Sequence, residues 1–320
     1  MQATRRSEVE GARARRAGPA LVLMLLVVSP AATRGDDAGL DKQVHAVLAA
    51  PGDAIHAGVW FGVASGEPIY ELDPRSAMPA ASVIKTALLI ELFAAHAGHL
   101  DDPLGAAADA ALVDDKHPAM APFSVAQRNE IRAALHGATV RTVGAIMMGS
   151  KKASNVVYNA AANLAIASLG GPSEATAKLH ARDPAFGGIV VGRYMLASRT
   201  ASGDNEATPG SLAAVLASIA TGKVPGGVDP ATVDAIAHAM MQTSDPVLGV
   251  RRYKEGNLDS DPMVVIKTGF YLRGNGKPPL VYVVGVALTA KPTGARDQAH
   301  RRLEKLTDAV QALLRSSASH

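Results

Sequence analysis

The chain has 320 residues, 48% of them hydrophobic and 19% charged, with a formal net charge of +3. This is an ordinary globular balance, with apolar surface for a large core in one large domain or two small ones. It has no basic stripe interleaved with aromatics, which argues against nucleic-acid binding, and no cysteine, which excludes disulfides, a lipid-anchored cysteine and a thiol nucleophile.

Much of the basic excess lies in "TRRSEVEGARARRAG" at the start. The apolar stretch that follows, "PALVLMLLVV", is too short to span a bilayer, and "SPAA" then places small residues at Ser29 and Ala31. This pattern predicts a signal peptide over residues 1–31, cleaved near Ala31, with an uncleaved anchor as the alternative. Arg15 and Arg16 leave a twin-arginine export route open. The mature chain is expected to be exported, periplasmic or secreted, with no stable membrane span after cleavage.

Further on, "LDKQVHAVLAA" has helical spacing and ends at Pro51-Gly52, while "HAGVWFGVA" and "GEPIYELDP" read as two strands of a hairpin. Pro74 and Pro79 bracket a loop that leads to Ser82. From Ser82 to Ala97 the pattern is a helix apolar on every face, hence buried on all sides, and Gly98 closes it. Helical segments run from about Val125 to Ala167, broken near Gly137 and Gly149. "LGGPSEATAKLHA" is a helix end, a glycine turn and a new helix, and another helix begins at Thr208-Pro209. "DPMVVIKTGF" and "LVYVVGVALTA" are β-branched runs expected to pair antiparallel. The last helix, from Arg296 to Arg315, carries Leu303, Leu306, Val310 and Leu313 on one face. Strands at both ends of the chain with helices between them predict one sheet built from both termini and an all-helical lobe inserted into it.

Two short patterns carry chemistry. Ser82 and Lys85 stand three apart at the mouth of the apolar helix and therefore share a face. A serine needs a neighbouring base to act as a nucleophile, and burial makes a lysine a base by favouring its neutral form. The helix start also offers free N–H groups for an oxyanion. S-x-x-K is expected by chance about once in a chain this long, so Ser82 taken alone would equally be a helix cap. The triplet Lys267-Thr268-Gly269, expected by chance about 0.1 to 0.2 times, adds weight. At a strand end it would offer a charge, a hydroxyl and close backbone approach to a carboxylate ligand.

With both motifs in place, the chain resembles the class A β-lactamase and penicillin-binding-protein superfamily of active-site serine enzymes. "MPAASVIKTALLIEL" looks like the nucleophile helix, "IASLGGPSEATAKL" like the L-G-G-P turn and its helix, and "VVIKTGF" like the strand that lines the site. The resemblance covers most of the mature chain. It implies an α/β fold of the α+β type with two lobes: an antiparallel sheet flanked by N- and C-terminal helices, about 40–80 and 210–320, and an all-helical lobe, about 81–209, within a domain spanning 32–320. It also implies Ser82 as nucleophile, Lys85 as base, Lys267 and Thr268 as a carboxylate clamp beside Gly269, and an oxyanion hole from the N–H groups of Ser82 and Phe270.

The family's S-D-N motif is not intact. Aligned on N-x-x-x-N, Asn155 and Asn159 match its asparagines and Ser154 falls on its aspartate; aligned back from Gly170-Gly171-Pro172, Asn159 takes the asparagine and Val157 the serine. Ser154, or else Ser150, would serve as proton relay only if a loop bulges, and Asn155 or Asn159 would bind a substrate amide. The loop "VVGRYMLASRT" holds no acid where the family carries its deacylating glutamate. Glu174 comes too early and Glu206 too late. Arg193 and Tyr194 would bind an acidic substrate, or pack the loop and meet Asp204. Arg273 and Lys277 are substrate ligands or plain loop charges.

No H-x-H or H-E-x-x-H pattern occurs, so neither metal nor cofactor is expected. The sequence thus predicts a monomeric serine hydrolase acting on a small molecule or peptide, β-lactam or peptidoglycan-like, with weak deacylation. The alternatives are a D-alanyl-D-alanine-type peptidase and a non-catalytic binder of cell-wall fragments.

Overall fold

The computed structural model describes residues 37–49, 54–292 and 294–318. The signal segment expected over 1–31 lies outside the described residues. Helix α1 (Asp37–Leu48) leads into β1 (Ile55–Val63), β2 (Pro68–Leu72) and the short β3 (Met78–Pro79). A single 3₁₀ turn, Ala81–Val83, then opens α2 (Ile84–Ala95). Five further helices follow, α3 (Ala106–Val113), α4 (Val125–Leu135), α5 (Val140–Met148), α6 (Asn155–Ser168) and α7 (Pro172–Arg182); α5, α6 and α7 pack on α2, and α3 and α4 pack on α6. A loop carrying β4 (Ile189–Val190), α8 (Arg199–Ser202) and β5 (Glu206–Ala207) returns the chain to α9 (Pro209–Ala220) and α10 (Pro230–Ala239). The chain closes with β6 (Met241–Asp245), β7 (Gly249–Leu258), β8 (Val264–Leu272), β9 (Leu280–Leu288) and α11 (Arg296–Ser317).

The six long strands form one antiparallel sheet in the order β2-β1-β9-β8-β7-β6. Both chain ends contribute to it, and β1 pairs with β9 along its whole length. Alternation along the strands gives the sheet two apolar faces. On one side Leu303, Val310 and Leu314 of α11 pack with Val44 of α1 against the outer face. Leu313, expected on that face, is half-buried, and its neighbour Leu314 goes in. On the other side Val264, Ile266, Phe270, Val281 and Val283 join a single core with α2, α5, α6 and α9.

The strand pair β6–β7 has no counterpart in the elements expected from sequence. "RRYKEGNL" alternates, but charges occupy the face where the other strands carry valine and isoleucine, so it does not read as a core strand. This pair makes β7, rather than β8, the strand that borders the helical side.

Helix α2 is buried on all sides, as its composition requires. Its Glu91 is 2% exposed and is held by Arg182 of α7 through two bonds of 2.5 and 2.9 Å. Arg182 also donates to the Pro225 carbonyl, at 2.8 Å. Removing one partner of a buried pair leaves the other uncompensated, which costs about 3–5 kcal/mol. Arg182→Met is therefore expected to lower the unfolding free energy by about that amount, read by urea denaturation at neutral pH.

Candidate active site

Ser82 lies in the 3₁₀ turn that opens α2. The residue before it, Ala81, is held at φ 46°, a left-handed conformation that disfavours side chains and turns the chain sharply. The turn brings Ser82 to the wall of a cavity of about 490 Å³. Lys85 follows one turn on, fully buried. Its Nζ donates to Asn159 Oδ1 at 3.0 Å and stands 3.3 Å from the centre of the Tyr158 ring. Burial, and after it the charge of Lys254, pushes the Lys85 pKa well below the ordinary lysine value.

Helix α6 supplies the facing wall. Asn155, Tyr158 and Asn159 all line the cavity. Asn159 donates from Nδ2 to the carbonyl and Oδ1 of Asn155, so its own Oδ1 is turned to Lys85. This is the alignment counted back from Gly170-Gly171-Pro172, and it leaves Val157, 4% exposed in the core, where a relay serine was sought. Ser154 does not reach the cavity. It caps α6 by accepting from Val157 N and donates to Glu130 Oε1. Ser150 donates to the Ala239 carbonyl instead.

The third wall is β7. A Cβ on Gly256 would stand 2.7 Å from Ser82 N and 3.0 Å from Val83 N, so only glycine lets the strand lie against the serine turn. Lys254 is 3% exposed; its Nζ donates to the Glu255 carbonyl at 3.0 Å and lies 5.1 Å from the Tyr158 ring centre. Thr268 Oγ1 donates to the Lys254 carbonyl, which therefore faces β8. Residues of an antiparallel strand turn their peptide groups to alternate edges, so those of Glu255 and Asn257 face away from β8, toward the cavity that both residues line.

The triplet singled out from sequence is not part of this wall. Lys267 sits on β8 with its side chain on the outer face, ion-paired to Asp308 of α11. Thr268 is buried beneath Lys254, and Gly269 and Phe270 are paired on both sides, to Tyr253 and Arg252 of β7 and to Tyr282 and Val281 of β9. None of the four lines the cavity. The period of two decides this: a lysine one place before an inward threonine points outward. Lys254-Glu255-Gly256 keeps the lysine and glycine spacing with a glutamate between them. That spacing was legible, but no signal marked its strand.

The loop from Val191 to Asn205 roofs the cavity. Asn163 of α6, fully buried, donates to the carbonyls of Ala119 and Met195 and accepts from Met195 N at 2.5 Å. Asn205 accepts from the N–H groups of Gly192 and Arg193. Arg193 pairs with Asp204 at 3.0 Å, which is its loop-packing role rather than a free substrate ligand. Arg199 joins Asp204 on one side to the carbonyls of Ser260 and Pro262 on the other, tying the loop to the β7–β8 turn. Met195, Leu196 and Ala197 line the cavity from this loop together with Arg193, Arg199 and Asn205, and no acid of the loop does. Glu206 lies on β5 and Tyr194 edges onto His117; neither lines the cavity. The lining acids Glu255 and Asp259 pair with Arg251 and His300. Arg273 donates to the Pro278 carbonyl in the β8–β9 turn, remote from Ser82.

A family model described as "Beta-lactamase enzyme family" matches residues 39–310. The fold is similar to that of a class A β-lactamase from Bacteroides cellulosilyticus, with a TM-score of 0.63 at 14% identity over 88% of this chain and 99% of that one. It is also similar to a β-lactamase from Desulfarculus baarsii (TM-score 0.60, 18% identity, 87% and 97% covered). A β-lactamase from Chitinophaga pinensis gives a TM-score of 0.60 at 19% identity, with 85% and 97% covered. No curated protein matches the chain.

The depressed pKa of Lys85 has a consequence for stability. The unfolded chain binds more protons than the folded one between the folded Lys85 value and the ordinary value near about 10.4, so stability rises with pH across that window. Lys85→Met is expected to be more stable than the wild type at neutral pH, by about 0.5–2 kcal/mol. The difference should shrink as the pH approaches the ordinary lysine value, measured by urea denaturation at several pH values.

Proposed function

We propose, from the premise that the chain belongs to the β-lactamase enzyme family and is a serine hydrolase of that type, that Ser82 is acylated by an amide carbonyl. One observation carries this reading: the Ser82 turn and the open edge of β7 line one cavity, and the acid-free buried Lys85, three residues after Ser82, is bonded behind its facing wall to Asn159 and the Tyr158 ring. Lys85, neutral in a fraction of molecules because of its burial, takes the Ser82 proton as Oγ attacks. The N–H groups of Ser82 and Asn257 stabilise the oxyanion; Asn257 takes the part expected of Phe270. Lys254 takes the part expected of Lys267 and attracts a substrate carboxylate. Asn155 and Asn159 offer amide groups to the acyl chain. The substrate class is a β-lactam or a peptidoglycan-like peptide, and we read the mature chain as exported and monomeric.

The lining of the cavity supports slow deacylation. The loop lines the cavity with three apolar residues, two arginines and Asn205, and contributes no water-activating carboxylate; loss of a general base costs about 10²- to 10⁴-fold. The acyl-enzyme is therefore the expected resting species in the presence of substrate. A second reading, a non-catalytic binder of cell-wall fragments, is favoured by buried Val157 at the relay position.

Intact-mass spectrometry after incubation with a penicillin separates the two. Addition of one ligand mass to a peptide containing Ser82 is expected; an unmodified protein after long exposure to several β-lactams would support the binder. With a chromogenic cephalosporin, a burst of about one equivalent followed by very slow turnover is expected, and rapid turnover without a burst would refute the stalled acyl-enzyme.

The two lysines give a further comparison. Lys254→Met should slow acylation by at least about 10²-fold, the scale of a lost electrostatic contact to the reacting ligand. Lys267→Met, on the far face of the sheet, should leave the acylation rate within about twofold of wild type. Acylation rates from the same mass measurements check both.

A further inference from the structure

Two ammonium groups are buried on one aromatic ring. Lys85 Nζ lies 3.3 Å and Lys254 Nζ 5.1 Å from the centre of Tyr158. Both lysines are nearly or fully excluded from water, and among the described residues neither forms an ion pair. From α6, Lys85 meets the Tyr158 ring and the Asn159 carboxamide; from β7 it meets the charge of Lys254. The acid on its own helix, Glu91, is held by Arg182, and Glu255 beside Lys254 is turned to Arg251. Two like charges therefore share a dry site whose negative potential comes from a ring face and amide oxygens. The face of an aromatic ring attracts a cation, most strongly when the cation is desolvated.

We propose that Tyr158 is a positioning residue that holds the Lys85 and Lys254 ammonium groups through the face of its ring, not through its hydroxyl, and thereby sets the pH at which Lys85 loses its proton. Burial and mutual repulsion favour the neutral form of Lys85; the ring and the Asn159 oxygen oppose them. Without the ring, Lys85 deprotonates at a lower pH, and Lys254 loses one of the contacts that fix its head against the β7 edge. The catalytic meaning of this balance rests on Lys85 as the base for Ser82; the titration itself does not.

The test reads Lys85 directly. In protein labelled with ¹³C at the lysine ε carbons, the Lys85 resonance is identified by its loss in Lys85→Arg and followed from about pH 5 to 11, a span that brackets ordinary and depressed lysines. Tyr158→Phe and Tyr158→Trp keep a ring face and are expected to titrate at or above the wild-type midpoint. Tyr158→Leu is expected to titrate lower, by about 0.4 to 1.5 units. If Tyr158→Leu does not fold, Tyr158→Met is read in its place with the same outcomes. An unchanged midpoint without the ring overturns the proposal, as does a fall in Tyr158→Phe equal to that in Tyr158→Leu, which would assign the effect to the hydroxyl. Acylation of Ser82, measured separately, distinguishes the two claims. A midpoint that moves with no acylation leaves this proposal standing and removes the proposed function. Acylation with an unmoved midpoint does the reverse.

Discussion

Lys85 carries its amine into a helix that is buried on every side, and among the described residues no carboxylate meets it. An isolated buried charge is costly, so the surroundings must either neutralise the amine or give it oxygen and π-electron partners. This structure does both in part. Asn159 is oriented by Asn155, Tyr158 lies across the ammonium, and the remaining imbalance lowers the proton affinity of the lysine. Apolar packing sets α6 against α2, and within that packing Tyr158 and Asn159 of the far wall meet the requirement.

The near wall depends on a different constraint, the absence of a side chain. Gly256 lets β7 lie against the backbone N–H groups of Ser82 and Val83. The strand is paired to β8 along its length, but beyond Tyr253 its other edge has no partner in β6. An unpaired strand edge is usually a liability for a fold. Here it is the part of the sheet that faces the cavity, and its peptide groups supply directional donors and acceptors beside the serine. On the face where neighbouring strands carry apolar residues, β7 carries the buried Arg252 and Lys254.

The roof is held by hydrogen bonds rather than by apolar packing alone. Asn163 and Asn205 anchor the loop backbone, and Arg193 and Arg199 share Asp204. Leu196 is kept at φ 65° with its side chain largely exposed at the cavity wall, a conformation that persists because its neighbours are fixed. The loop thus has a rigid frame, and it lines the cavity with apolar and polar side chains but with no acid.

Much of this was legible in the amino-acid sequence, and the division has a physical basis. The fold class, the buried helix and the Ser82–Lys85 pair depend on local periodicity, in which residues three apart on a helix must share a face. The missing loop acid could be read by counting from Thr208-Pro209. The choice between two alignments for the asparagines could not, because both spacings fit a helix, and contact with Lys85 across 74 positions decided for Asn159. Lys267 lies on the outer face of the sheet for a related reason. Lys267-Thr268-Gly269 is a good local pattern, but which strand of a sheet borders a cleft is set by strand order, and which face a residue takes is set by register. Sequence alone determined that a serine and a lysine stand one turn apart at the mouth of a buried helix. The tertiary structure decided which lysine, asparagine and peptide groups stand opposite it, because strand order and helix packing are fixed by burial over the whole chain and not by any short run within it.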